Sequence, residues 1–264
     1  MIGAPAATNC SPMPMWRTAF SVGFRAGRGG RLSLVRHIAG PTGESGACYL
    51  EAVQARAIYL HGFASGPSSS KARYFRRRFE EAGVALDVLE LDGGDFERLT
   101  LSGQLAVVER AAGRHESVLI GSSLGGYLAA LYAARHPEVD RVVLLAPAFQ
   151  FARRFRERFT PEQLQDWKRA GSIPVFHYGH GEQRPLGYQL LEDAVQYEDE
   201  PDVSQPALIL HGRRDPVVPP ALSEVYAASH PNVRLRLYDS GHELTDQLDP
   251  MWTEIRAFLP FPEP

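Results

Sequence analysis

A serine, an aspartate and a histidine of the sequence occur in local contexts that suit nucleophilic catalysis. Ser123 is the central residue of GSSLG, which fits the pattern G-x-S-x-G between an apolar run and a helical period. Asp215 follows the apolar run ALILH in a turn, and His242 lies in YDSGHEL. A histidine that removes the serine proton creates a nucleophile, and a carboxylate fixes the histidine tautomer. We therefore predict Ser123 as nucleophile, His242 as general base and Asp215 as the acid.

The residues next to the serine are those that a sharp turn between a strand and a helix needs. Gly121 and Gly125 are expected because side chains two positions from the nucleophile would collide with it. Gly126 is expected to let the following helix pack closely. Ser122 lacks the correct flanking residues, so we predict a structural role for it.

Three other acids compete with Asp215 for the role of the acid. Asp239, Glu243 and Asp246 all lie in or beside the loop that carries His242. Asp215 is preferred because it follows a predicted strand, at the carboxyl edge where α/β sheets place their sites.

From about residue 55 the chain alternates short apolar runs with longer amphipathic stretches. The predicted strands are 56–61, 86–91, 117–121, 141–146, 206–211 and 233–238. The predicted helices are 70–82, 99–112, 124–136, 219–229 and 249–259. This alternation is typical of βαβ units, and it predicts an α/β fold with a mostly parallel sheet and helices on both faces.

The same pattern predicts one domain over 55–264 with an extension before it and an insertion within it. Residues 1–50 are rich in Gly, Ala, Arg, Ser and Pro, and they are predicted to be a disordered or non-native extension. Residues 149–200 lie between two predicted sheet strands and contain a helical pattern at 161–170. An insertion of that length is predicted to form a lid or cap.

The insertion contains side chains that suit either binding or packing. Phe176 and Tyr178 are candidates to bind substrate as part of an acyl pocket, although aromatic residues at this density also pack a lid onto a core. The arginines of the insertion are expected to form a solvated face: Arg153, Arg154, Arg156 and Arg158.

Composition excludes several classes of protein. A formal net charge of -3 gives no global reason to expect a nucleic acid partner, and no run approaches the roughly 18 apolar residues of a membrane span. A soluble, cytoplasmic protein is predicted. Residues 1–43 contain five arginines and no acid, so an organelle transit peptide is the alternative, as is translated upstream sequence. The oligomeric state stays open.

The sequence carries no motif that predicts a metal or a cofactor. HExxH and CxxC are both absent, as is a glycine fingerprint for a dinucleotide. Cys10 and Cys48 precede every motif and suggest nothing catalytic. A serine nucleophile with a base and a fixed acid needs no cofactor, and none is predicted.

The chain from about residue 55 to 259 resembles serine hydrolases of the α/β-hydrolase superfamily. HGFASGPSSSKA is similar to the opening of YqiA-like bacterial esterases, and GSSLGGYLAALYAARHPE followed by HGRRDPVVP is similar to the acyl-protein thioesterases among the abhydrolase-domain proteins. The chain order Ser, Asp, His is the one that this superfamily uses. The resemblance implies the triad Ser123, Asp215 and His242, with the backbone N–H groups of Phe63 and Leu124 as oxyanion donors. His61 is then expected to support the donor loop by hydrogen bonding.

The predicted reaction is hydrolysis of a small-molecule carboxylic ester or thioester through an acyl-enzyme intermediate. An aminopeptidase or amidase on the same fold is the alternative, and Glu182, Glu192 or Asp193 would then anchor a substrate amine. A noncatalytic binding scaffold is a third possibility, because folds persist in proteins that have lost their chemistry.

Overall fold

The computed structural model describes residues 32–34 and 53–261. The extension predicted over 1–50 therefore lies outside the described residues, apart from Leu32–Leu34, which form strand β1. No helix within the described part of the chain is long and apolar enough to cross a membrane.

A mostly parallel sheet forms the centre of the domain. Its further strands are β2 (Val53–Leu60), β3 (Leu86–Val88), β4 (Ser117–Ser122), β5 (Val139–Leu145), β8 (Ala207–Gly212) and β9 (Val233–Tyr238). The order across the sheet is β3-β2-β4-β5-β8-β9, with all neighbours parallel, and β1 pairs antiparallel with the first residues of β2. All six predicted strands are confirmed, β3 in a shorter form than the sequence predicted.

Helices connect the strands and cover both faces of the sheet. They are α1 (Ser70–Glu81), α2 (Leu101–Ala112), α3 (Leu124–Ala133), α4 (Phe151–Arg156), α5 (Pro161–Ala170), α6 (Gln189–Ala194), α7 (Pro220–Ser229) and α8 (Leu248–Phe258). The five helices predicted outside the insertion are confirmed as α1, α2, α3, α7 and α8.

Strand β4 is buried on both faces, and its residues alternate between two hydrophobic cores. Leu119 belongs to the core that includes α2 and α3, whereas Val118 and Ile120 belong to the core that includes α1 and α8. Because every residue of β4 is buried, its sequence is a continuous apolar run, which is typical of a central parallel strand.

The insertion between β5 and β8 contains α4, α5, α6 and a hairpin that is separate from the main sheet. The hairpin strands are β6 (Ser172–His177) and β7 (Glu182–Gly187). The helical pattern at 161–170 is confirmed as α5, but the sequence prediction missed the hairpin. Its central pair is Pro174 opposite Pro185, and most of its residues are exposed or half-buried, so no strong apolar alternation marks it.

The register of the sheet brings the ends of its central strands to one edge. Leu60 of β2 lies beside Gly121 of β4, and Leu145 of β5 lies beside Ser122 of β4. Since parallel strands end at the same edge, the loops after β2, β4, β8 and β9 meet there.

Candidate active site

Ser123 lies at a strained turn between β4 and α3. Its backbone has φ +54° and ψ -116°, a conformation that non-glycine residues rarely adopt. The Ser123 N–H donates to the Leu145 carbonyl at 2.8 Å, and the N–H groups of Tyr127 and Ala148 donate to the Ser123 carbonyl. These bonds hold the strained residue at the edge of the sheet. Ser122 is buried and contacts the Tyr59 hydroxyl, in keeping with a structural role.

The glycines beside Ser123 are required, but for a reason that differs from the one expected. A Cβ atom on Gly121 would lie 2.2 Å from the Gly125 carbonyl oxygen, and one on Gly125 would lie 2.2 Å from the Leu60 carbonyl oxygen. The collisions are therefore with the backbone of α3 and β2, not with Ser123. A Cβ on Gly126 would lie 3.1 Å from Cα of Pro147, which confirms tight helix packing there.

His242 contacts both Ser123 and Asp215. Its Nε2 accepts from the Ser123 hydroxyl at 3.0 Å, and its Nδ1 lies 2.7 Å from Oδ2 of Asp215. An imidazole in this position can take a proton from the hydroxyl while the carboxylate fixes its tautomer. The structure therefore brings together the three side chains selected from the sequence.

The Asp215 carboxylate is buried and receives four hydrogen bonds. Oδ1 accepts from the N–H groups of Val217 and Val218, each at 2.8 Å, and Oδ2 accepts from His242 and from Nε2 of His211 at 3.1 Å. Burial alone would raise the pKa of Asp215, but the hydrogen bonds from the two histidines and from the backbone hold that pKa well below its usual range. The carboxylate is therefore ionised at neutral pH.

His211 contacts Asp215, and the sequence analysis did not find this contact. The ring is fully buried, Nε2 faces both Asp215 and the Val218 carbonyl, and Nδ1 lies 2.8 Å from the Ser223 hydroxyl. Because Asp215 and the Val218 carbonyl are both acceptors, the ring proton of His211 is on Nε2. Nδ1 is then an acceptor, and the Ser223 hydroxyl donates to it. The signal in the sequence was the four-residue spacing between the histidine at the end of β8 and the aspartate in the turn that follows.

The three rival acids make other contacts. Asp239 pairs with Arg214 at 2.9 Å, and Asp246 accepts from the Ser240 hydroxyl. Glu243 lies 3.8 Å from the Lys71 ammonium. Among the described residues, only Asp215 has a carboxylate in contact with the His242 ring.

Lys71 is a buried cation beside the histidine loop that sequence reasoning did not find. Its Nζ donates to the Glu243 carbonyl at 2.8 Å, one residue after His242. Burial lowers the pKa of Lys71, and the charges of Glu243 and Asp215 oppose that shift. The contact connects the first turn of α1 to the loop that carries His242.

The backbone N–H groups of Phe63 and Leu124 were predicted as oxyanion donors. Leu124 is the first residue of α3, and neither its N–H nor that of Phe63 has an acceptor among the turns, loops and caps of the described chain. The preceding Gly62 packs against the serine, since a Cβ there would lie 3.4 Å from Cβ of Ser123. His61 is buried with Nδ1 at 3.0 Å from the Gly62 carbonyl, so it contacts the donor loop as expected.

A cavity of approximately 820 Å³ opens beside Ser123 and His242. Phe63, Leu124 and Tyr178 contribute to its wall, and the insertion supplies one side of it. Phe176 is not part of the wall within the described chain; its ring contacts Tyr178 edge to face at 5.2 Å. Of the two candidate binding residues, the structure therefore brings only Tyr178 to the cavity.

The three acids suggested as anchors for a substrate amine lie elsewhere. Glu182 pairs with Arg184, Glu192 pairs with Lys168, and Asp193 accepts from Ser102. None of these acids lines the cavity beside Ser123 in the described part of the chain.

One group of side chains in the described residues has the composition of a metal site. The ligand atoms of Asp92, His177 and His180 all lie within 4.8 Å of one another. The His180 N–H donates to Nδ1 of His177, which leaves Nε2 of His177 facing Asp92 at 3.8 Å. The two histidines lie at the tip of the β6–β7 hairpin and Asp92 lies in the loop after β3, and none of the three contacts Ser123, Asp215 or His242 through a hydrogen bond in the described chain.

Comparison with solved structures identifies the fold. A protein described as "Putative hydrolase" from Agrobacterium vitis S4 is 26% identical, with a TM-score of 0.66 over 77% of this chain and 87% of that one. Alpha/beta hydrolase domain-containing protein 10 from mouse is 19% identical, with a TM-score of 0.64 over 91% and 98%. Est1E from Butyrivibrio proteoclasticus, solved with ferulic acid, is 22% identical, with a TM-score of 0.61 over 77% and 90%. No curated protein matches the sequence.

The strand order, the turn at Ser123 and these structural neighbours define an α/β-hydrolase fold. The uncharacterised protein family UPF0227 matches residues 56–259, which is most of the chain. The chain belongs to that family.

Proposed function

We propose that this protein is a serine hydrolase that cleaves carboxylic-ester or thioester bonds through an acyl-enzyme intermediate. Ser123 is the nucleophile, His242 the general base and Asp215 the acid that orients the base. The backbone N–H groups of Phe63 and Leu124 are the oxyanion donors.

One observation carries the proposal: the unbroken line of hydrogen bonds from hydroxyl to imidazole to carboxylate. The Ser123 oxygen is 3.0 Å from Nε2 of His242, and Nδ1 of the same ring is 2.7 Å from Asp215. A base within this distance of the hydroxyl can accept its proton as the oxygen attacks. The fold supports the same reaction, since its solved neighbours include proteins described as lipolytic enzymes and as a monoacylglycerol lipase.

The reaction proceeds in two half-reactions. His242 takes the Ser123 proton as the oxygen attacks the substrate carbonyl, and it then returns that proton to the departing alcohol or thiol. Water enters and loses a proton to His242 as its oxygen attacks the acyl-enzyme carbonyl. The bond to Ser123 then breaks, and His242 returns the proton to the Ser123 oxygen as the acid is released. Fixed donors at Phe63 and Leu124 stabilise the negative charge that appears on the carbonyl oxygen, and one such donor is worth on the order of 10²–10³ in rate.

The insertion is proposed to act as a cap over the site. It contributes Tyr178 and part of α4 to the cavity wall. Esters and thioesters suit this site better than aminoacyl amides, because the acids suggested as amine anchors are absent from the wall in the described chain.

The test is labelling with a fluorophosphonate probe followed by peptide mass spectrometry. We expect the label on Ser123, and we expect Ser123→Ala to lose both the label and turnover of p-nitrophenyl butyrate, by about 10⁶-fold as in a triad protease. Ser122→Ala is the matched control because that serine is buried beside Tyr59, and it should keep the label.

Matched esters, thioesters and amides with one acyl group then define the bond that is cleaved. Wild-type protein that neither accepts the label nor cleaves any short acyl substrate would show that the proposal is wrong.

A further inference from the structure

The cavity beside Ser123 is rich in positive charge. Its wall includes four cationic side chains and one carboxylate: Lys71, Arg73, Arg154, Arg158 and Glu243. Lys71 and Glu243 lie 3.8 Å apart and largely offset each other. The other three cations of the wall are Arg73, Arg154 and Arg158, here called the arginine rim.

Each member of the arginine rim is held by neutral partners. Arg73 donates to the Ser68 carbonyl, Arg154 donates to the Val217 carbonyl, and the Arg158 guanidinium lies 5.7 Å from the centre of the Phe155 ring. No carboxylate within the described ranges 32–34 and 53–261 forms an ion pair with any of the three. No member of the arginine rim therefore has an ion-pair partner among the described residues.

Neighbouring arginines on the same segment differ in this respect. Arg153 and Arg156 line a second cavity of approximately 520 Å³, whose wall also contains Glu157 and Asp199. Arg153 lies 3.9 Å from Asp199. The charges of that second cavity balance, whereas those of the cavity beside Ser123 do not.

Arg154 is connected to Asp215 through a shared hydrogen-bond partner, Val217. Its acceptor, Val217, is also a hydrogen-bond donor to Asp215. Partial burial and the nearby charge of Arg158 both lower the pKa of Arg154, whereas the charges of Asp215 and Glu157 oppose that shift. The Asp215 carboxylate already receives four hydrogen bonds, so it is not free to pair with Arg154.

We propose that the cavity binds substrates that carry an anionic group besides the bond that is cleaved, and that the arginine rim binds this group. This inference rests on the proposed hydrolase function and names its substrate class as acyl esters or thioesters bearing a carboxylate or a similar anion. Guanidinium groups bind carboxylates through short, charge-assisted hydrogen bonds, and an anion between Arg154 and Arg158 offsets their mutual repulsion.

The anion can belong to the acyl part or to the alcohol part of the substrate, and two pairs of esters distinguish these sources. The acyl pair is mono-p-nitrophenyl adipate and its terminal amide, p-nitrophenyl adipamate. The alcohol pair is 4-(carboxymethyl)phenyl hexanoate and 4-(carbamoylmethyl)phenyl hexanoate. Within each pair a carboxylate replaces a neutral amide of the same shape.

The quantity measured is the ratio of kcat/KM for the anionic ester to kcat/KM for its neutral partner. In wild-type protein we expect this ratio to be about ten in at least one pair. One charge-assisted hydrogen bond to the anionic group would produce a preference of that size. Arg154→Gln and Arg158→Gln should each lower that ratio by about tenfold. The ratio also cancels any general loss of folded protein.

Arg153→Gln and Arg156→Gln are matched controls from the same segment, and they should leave the ratio within twofold. Raising the salt concentration should lower the wild-type ratio because screening weakens the attraction. Neutral esters cleaved as well as the anionic ones in both pairs would overturn the inference and leave the hydrolase function standing. If no ester of either pair is cleaved, the hydrolase proposal fails and the inference fails with it.

Discussion

Replacing Asp215 by asparagine tests the assignment of the acid most directly. The carboxylate accepts from four N–H groups, two on each oxygen. Asparagine has one acceptor oxygen and one NH₂ group. If the oxygen faces Val217 and Val218, the NH₂ group meets His211 and His242, which both present N–H groups to Asp215 in the wild-type protein.

Catalysis suffers because the base changes its tautomer. To avoid the NH₂ group, His242 moves its proton from Nδ1 to Nε2, and Nε2 then faces the Ser123 hydroxyl as a donor. In a serine protease with the same triad this substitution lowers kcat by about 10⁴-fold, and we expect a similar loss here.

Stability suffers because His211 cannot make the same adjustment. Its Nε2 also faces the Val218 carbonyl, so the proton stays there and meets the NH₂ group. One unsatisfied buried donor costs about 1–3 kcal/mol, which should appear in the free energy of unfolding measured with urea.

The assay is the rate of fluorophosphonate labelling at Ser123 together with turnover of p-nitrophenyl butyrate. Asp239→Asn is the matched control, because Asp239 is exposed and pairs with Arg214. A labelling rate within tenfold of wild type in Asp215→Asn, with a large loss in Asp239→Asn, would refute our choice of the acid.

Three further substitutions probe the structure around the site. Gly125→Ala places a Cβ 2.2 Å from a carbonyl at the end of β2, so the free energy of unfolding should fall by about 1–3 kcal/mol or more, whereas Gly241→Ala, with no atom within 4 Å of the new Cβ, should be tolerated. His211→Leu removes a hydrogen bond that lowers the pKa of the buried acid, so that pKa should rise. A carboxyl with a depressed pKa stabilises the fold above its ordinary pKa and loses that effect as the pH falls. The variant should therefore be less stable than wild type by about 1 kcal/mol in urea unfolding at pH 7. This difference should narrow only well below about pH 4, where the pH falls through the depressed pKa of Asp215 itself. Tyr178→Ala should change the preference for acyl chain length across a series of p-nitrophenyl esters, and Phe176→Ala should not, since only Tyr178 lines the cavity; equal effects would contradict this placement.

The strands of the sheet could be predicted from the sequence because buried strands are continuous runs of apolar residues. Strand β4 is buried on both faces, so VLI could be read as a strand without knowledge of its neighbours. The contact among Ser123, Asp215 and His242 could be predicted because each follows a strand, and strand ends at one edge bring distant positions together.

Contacts between distant segments could not be predicted in this way. In the sequence Lys71 is one residue of an amphipathic helix. Only the structure shows that its ammonium contacts Glu243, which lies 172 positions later in the chain. The four insertion arginines share one residue type and one short segment, yet two of them face the cavity at Ser123 and two face another. A solvated face was expected for all four, which was wrong for the partly buried Arg154. Composition carries no information on which face of a short helix lies against a cavity.

The hairpin β6–β7 is attached to the loop that carries Phe63. The Tyr178 N–H donates to the Ala64 carbonyl at 2.7 Å, and Gly179 packs against Ser65 and Gly66. Ala64 has φ +51°, so its turn depends on neighbouring contacts to keep its shape. Any swing of the hairpin away from the body must first break this bond and release the turn. Opening of the cavity on the side of the hairpin is thus coupled to the backbone conformation of the loop that carries Phe63, which we propose as an oxyanion donor.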